Sequence, residues 1–125
     1  MRVMAIIKGA EERPSGDEPE RRLRSEMGPF DEALVRAGVL LDGERLQASG
    51  RGARIRLSGT TRTVIDGPFT ENEGLVTGYW LWQVRSLDEA IEWAKRCPNP
   101  TGVDAEIELR PVVEIDVPAI HPTTR

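Results

Sequence analysis

The chain has 125 residues, 38% hydrophobic and 30% charged, with 17 basic against 21 acidic side chains and a net charge of −4. That length suits one domain with its own core and excludes two, no apolar run nears the roughly 20 residues that span a bilayer, and the acidic balance repels phosphate backbones, which argues against nucleic-acid binding. One domain over residues 1–125, with no membrane or nucleic-acid partner, is the expectation.

Val3 to Ile7 is short, apolar and rich in β-branched residues, and predicts a buried strand. The apolar stretch ends at Lys8, too early for the core of a signal peptide, and the lone Cys97 suits a reducing compartment. A cytoplasmic location is expected. Residues 9–19, GAEERPSGDEP, predict a polar loop. From Glu20, apolar side chains at Leu23, Met27, Phe30, Leu34 and Ala37 draw one stripe down a helix that Gly38 stops. Pro29 lies inside that pattern and predicts a kink or a restart.

Val39-Leu40-Leu41 before Asp42-Gly43 reads as a second strand. Ala53 to Leu57 and Thr61 to Ile65 alternate around Ser58-Gly59-Thr60, a hairpin signature, and the four arginines 51, 54, 56 and 62 fall on its solvated surface. Gly78 to Val84 is the strongest strand. Ser86-Leu87-Asp88-Glu89 fits a capping box, so a second helix starts at Leu87 with Leu87, Ala90, Ile91 and Ala94 on its apolar face, and Trp93 packs that helix too. Pro98 and Pro100 end it. Ala105, Ile107 and Leu109 alternate with charged residues in a last strand, and residues 118–125 read as a frayed tail.

Strand, helix, strand, hairpin, strand, helix, strand is the order of an α+β domain of ferredoxin-like split βαβ plan with an inserted β-hairpin. Its helices cover one sheet face. The other, bearing Trp80 and Trp82 or else Tyr79 and Leu81, is too apolar for water, which predicts a homodimer packed sheet to sheet in a dimeric α/β barrel-like assembly.

Asp66-Gly67-Pro68-Phe69, Glu71, Gly78-Tyr79, Leu87-Asp88-Glu89-Ala90, Glu92-Trp93-Ala94, Cys97-Pro98 and Glu108-Leu109-Arg110-Pro111-Val112, together with Ala37-Gly38-Val39-Leu40, resemble the DGPF-domain branch of the YCII-related family. The resemblance runs from Val3 to Val113. It implies a ferredoxin-like dimer with a pocket between sheet and helices suggested to be an enzyme site, and, as the competing implication, a regulatory module associated with extracytoplasmic-function sigma factors and hence a transcription-regulator partner. The wider family's proposed active site has a histidine in the first helix and an aspartate before the proline that follows the second. Met27 and Cys97 hold those places here, and the sole histidine, His121, lies in the tail, so histidine-aspartate catalysis does not carry over. The branch's Lys-Glu pair is replaced by Glu73-Gly74.

Several residues carry both a structural and a chemical reading. Asp66 either bonds its own backbone to fix a turn or, beside Glu71 and Glu73, forms an acidic cluster with one raised pKa. Glu108 and Arg110 share a strand face, where they pair in solvent or orient a ligand. Asp66 and Glu108 are the candidate catalytic carboxylates, Arg110, Glu71 and Tyr79 the candidate ligand-binding residues, and Trp80 and Trp82 the candidate dimer interface. One Cys and one tail His make no ordinary zinc site, and Gly50-Arg51-Gly52 lacks the strand-to-helix setting of a phosphate loop, so no metal or cofactor is expected. The partners expected are a second copy and an unidentified small metabolite.

Overall fold

The computed structural model of the chain describes residues 1–9, 17–70, 74–99 and 104–114. The apolar opening run is β1 (Arg2–Gly9), the helical stripe is α1 (Asp17–Arg36), and Gly38, at φ +72°, turns the chain toward β2 (Leu40–Arg45). A 3-10 turn at Ser49–Arg51 precedes the hairpin of β3 (Ala53–Ser58) and β4 (Thr61–Asp66). Then come β5 (Val76–Gln83), α2 (Leu87–Lys95) and β6 (Ala105–Pro111). The predicted element order is the observed one.

Four strands form one antiparallel sheet in the order β2-β5-β1-β6, and β3 with β4 forms a separate two-stranded sheet. Because β2 and β1 both oppose β5, they run parallel to each other with β5 between them, and β5 and β6 likewise flank β1. That connectivity is an α+β arrangement compatible with the ferredoxin-like split βαβ plan.

The pleat decides what each sheet face carries, since successive side chains point to opposite sides. Val3, Ala5, Trp80 and Trp82 face the helices and join Met27, Phe30 and Leu34 of α1 and Ala90 of α2 in a single core. Met4, Ile6, Tyr79 and Leu81 lie on the opposite face, which is uncovered among the described residues, and are half-buried. Trp80 is 6% exposed and Trp82 0% within one chain, so their assignment to a dimer interface is corrected. Their pleat position sends both rings under the helices. The two rings stack at 5.6 Å with planes 26° apart, and Trp80 meets the Phe30 ring edge-on at 5.6 Å and 71°.

Three local features differ from expectation. First, α1 begins at Asp17 rather than Glu20, with Pro19 in its first turn, where amides have no helical acceptor to lose. Residues 10–16, the remainder of the predicted polar loop, lie outside the described residues. Second, the helix runs unbroken through Pro29. Pro29 and Ser25, whose carbonyl loses its amide partner there, both lie on the exposed side, where water replaces the missing bond. Third, Leu87 and Ile91 are 39% and 36% exposed, and the buried stripe of α2 is instead Ala90, Trp93, Ala94 and, past the helix end, Cys97. A helix this short lies with its small residues against β1 and β6.

The serine half of the capping box forms, and its glutamate half shifts by one residue. The Ser86 hydroxyl accepts the Glu89 amide at 3.1 Å, while the Glu89 carboxylate accepts the amide of Arg85, one residue before the cap, at 2.7 Å. Replacing Ser86 by Ala removes an acceptor from an amide that has no other, so S86A should lower stability by about 1 kcal/mol. Urea unfolding measures it, and an unchanged midpoint would mean that water serves that amide as well.

Candidate functional site

The DGPF segment ends β4 and crosses the base of the hairpin. The Gly67 amide donates to the Gly52 carbonyl at 3.0 Å, the Gly67-Pro68 bond is cis, and the Phe69 amide donates to Ser49 Oγ at 3.0 Å. A Cβ at Gly67 would overlap the Ser49 carbonyl, so glycine is required here by close approach of the backbone. Asp66 itself is exposed, pairs with Ala53 in the ladder, and makes no side-chain hydrogen bond among the described residues. The turn-making role expected of Asp66 therefore belongs to Gly67, Ser49 and the main chain. Glu71 and Glu73, its expected acidic neighbours, lie outside the described residues.

Around this turn lies a cleft of about 620 Å³ edged by Ser49, Arg51, Arg54, Phe69, Leu75 and Val76. The Arg54 guanidinium already sits 3.9 Å over the Phe69 ring. A second cleft, about 320 Å³, opens between α1 and the sheet at Ile7, Asp31, Gly43, Arg45 and Trp80. Although smaller, it is where fixed polar groups converge on an aromatic wall, which is what a binding site needs. Trp80 Nε1 donates to Asp31 Oδ1 at 3.2 Å, holding the carboxylate at the cleft and leaving Oδ2 without a donor among the described residues. Gly43 makes room for this, since a Cβ there would stand 2.7 Å from Trp80 Cδ1. Arg45 contributes a guanidinium with no ion pair among the described residues.

Cys97, where the wider family's proposed site has an acid, is close enough to feel both charges. Burial pushes its thiol up to about 11, with Arg45 opposing and Asp31 reinforcing the shift. It stays protonated at neutral pH and is a poor nucleophile. Met27, in the histidine's place, is 7% exposed and packs in the core.

The other candidates project from the opposite sheet face, although Glu44 and Tyr79 also edge this cleft. Across one row stand Glu44, Tyr79, Ile6 and Glu108 on β2, β5, β1 and β6. The Tyr79 hydroxyl donates to Asp42 Oδ2 at 3.2 Å, and burial followed by the charge of Asp42 raises its pKa. Glu108 accepts from Lys8 and Arg110, each at 3.0 Å, and these bonds hold its carboxyl below the usual range. Glu108, Arg110 and Tyr79 thus share a face that Asp66 does not reach. Sequence reasoning missed Asp31 and Arg45. Asp31 falls four residues after Met27, the position to which the resemblance assigns a histidine, on the same helix face, and that spacing was the available signal.

Among the described residues, no three His, Cys, Asp or Glu are grouped to hold a metal, and no helix is long and apolar enough to cross a membrane. Fold and site together define a two-layer α+β domain whose cleft opens between the first helix and an antiparallel sheet. The family model of the YCII-related domain matches residues 1–116, and the chain belongs to that family. It is also similar to an uncharacterized protein of Rhizobium meliloti (strain 1021), 33% identical over 98 residues, which are 78% of each chain.

Two outcomes follow from this geometry. G67A should cost about 1–3 kcal/mol, because the added methyl displaces the Ser49 turn, whereas D66A should stay within about 0.5 kcal/mol. Equal losses in urea unfolding would return the turn to Asp66. For Glu108, a folded pKa depressed below its unfolded value of about 4.3 means a stabilisation complete at neutral pH and lost as pH falls through the folded value. The stability gap between wild type and E108Q should therefore shrink below about pH 4. A gap constant from neutral pH through that range would show that the Lys8 and Arg110 bonds do not depend on the charge.

Proposed function

We propose that the protein is a homodimer, packed through the uncovered sheet face, that binds a small polar metabolite in the cleft between α1 and the sheet. The observation that carries this reading is the Asp31 carboxylate held by the Trp80 indole beside the Arg45 guanidinium. With Glu44 also at the rim, Asp31 and Arg45 select a ligand that offers an amine or hydroxyl to the carboxylate side and a carboxylate to Arg45. With no histidine at the site among the described residues, Asp31 is also a group able to take or give a proton, and it replaces Asp66 and Glu108 as the carboxylate on which acid-base chemistry would turn. Sheet-to-sheet packing is supported by the row of half-buried Met4, Ile6, Tyr79 and Leu81, which a second copy would cover. The Asp66-Gly67-Pro68-Phe69 turn with its tight glycine supports placement in the DGPF branch.

A thermal-shift screen of amino and hydroxy carboxylates tests the reading, since a ligand at a hundred times its Kd adds about 2.7 kcal/mol. D31N keeps an oxygen for Trp80 and should change stability by less than about 0.5 kcal/mol while abolishing the shift, and R45Q should do the same. Shifts that survive both substitutions, or none from any such ligand, would sink the assignment of this cleft.

A further inference from the structure

Among the described residues, the β3–β4 hairpin stands apart from the four-stranded sheet. It belongs to its own two-stranded sheet, and all but one of its strand residues are exposed. Its pleat nonetheless gathers apolar side chains on one face: Ile55 is directly opposite Val64, and Leu57 follows on the same side, at 53%, 64% and 67% exposed. A two-stranded ribbon with an uncovered apolar face is marginal in water by itself. Charge and area both favour a second copy as its partner.

Opposite Leu57 on that face is Arg62, whose guanidinium donates to the Gly59 and Thr61 carbonyls at 2.8 and 2.9 Å. It has no carboxylate among the described residues. The uncovered sheet face carries the complementary pattern at its β2 margin, where Asp42 and Glu44 flank Leu81 and Tyr79 and neither carboxylate has a cation among the described residues. Area points the same way. Four strands of 8, 6, 8 and 7 residues give a face with a footprint of roughly 450 Å², which a further contacting element extends toward the roughly 800 Å² of accessible surface that each partner of a stable interface buries. Packed sheets also cross at an angle, which leaves corners of each face uncovered. One face of a hairpin with six-residue strands adds roughly 200 Å².

We propose that the hairpin is a dimerisation arm, its Ile55, Leu57 and Val64 seated on the β2 margin of a second copy's sheet face with Arg62 against Asp42 and Glu44. The arm rests on the sheet-to-sheet dimer proposed above and adds to it a reciprocal clasp, each copy giving one hairpin and receiving one.

Sedimentation equilibrium of the full chain over a concentration range measures the dimer Kd. The double variant L57E/V64E puts acids against an acidic margin and should weaken the dimer by about 100-fold. Since both side chains are largely exposed in one chain, its far-UV circular dichroism should match wild type. R62E should weaken the dimer by about 10-fold, and adding E44R in the same chain should restore it. A wild-type chain that stays monomeric overturns both the dimer and the arm. A dimer that L81E breaks but L57E/V64E and R62E leave within twofold overturns the arm and keeps the sheet interface. Loss in R62E without recovery in R62E/E44R overturns the seat on the β2 margin.

Discussion

Burial of the Trp80-Trp82 stack is the interaction on which the remaining structure depends. Both rings project from β5 to the helix side, with one residue between them, and Phe30 meets the Trp80 ring from α1. Each ring removes on the order of 150–250 Å² from water, so the sheet cannot turn this face outward and both helices must lie across it. The indole N–H groups make that burial specific. Trp80 finds Asp31, and Trp82, fully buried, finds no acceptor among the described residues, which is tolerated because the ring area buried outweighs one unpaired donor.

The same hydrogen bond joins packing to chemistry. A carboxylate at the margin of an apolar core is costly unless bonded, and the Trp80 indole supplies the bond from inside the core. The cleft is therefore built out of the fold's own support. Gly43 belongs to this arrangement, because a side chain there would strike the Trp80 ring. Cys97, at the end of the α2 stripe, closes the neighbourhood as a protonated thiol whose pKa registers burial first and the charges of Arg45 and Asp31 after it.

The other sheet face divides its polar groups differently. Glu108 is committed to Lys8 and Arg110, and Tyr79 to Asp42, so its candidate residues pair with one another. Such exposed pairs contribute little to stability. They frame an apolar strip instead, which is the composition of an interface with a polar rim. The hairpin repeats this composition on a smaller scale, with a cation where the sheet margin has acids.

The sequence by itself determined the element order, the hairpin, the Ser86 cap and the α1 stripe of Met27, Phe30 and Leu34, because each is written in local periodicity or in the chemistry of a few adjacent residues. The family, too, was legible in its motifs. Strand alternation alone could not say which face of β5 looks inward, since Trp80 and Trp82 or Tyr79 and Leu81 satisfy it equally well; the placement of both helices over one face decided it. Asp31 and Arg45 lie on α1 and β2, brought to the same cleft by the packing of that helix against the sheet edge. Asp66 was prominent in its motif, yet the turn is made by Gly67 and by Ser49 from another segment. Tertiary structure decided these points because each depends on residues distant in the chain meeting across a shared core.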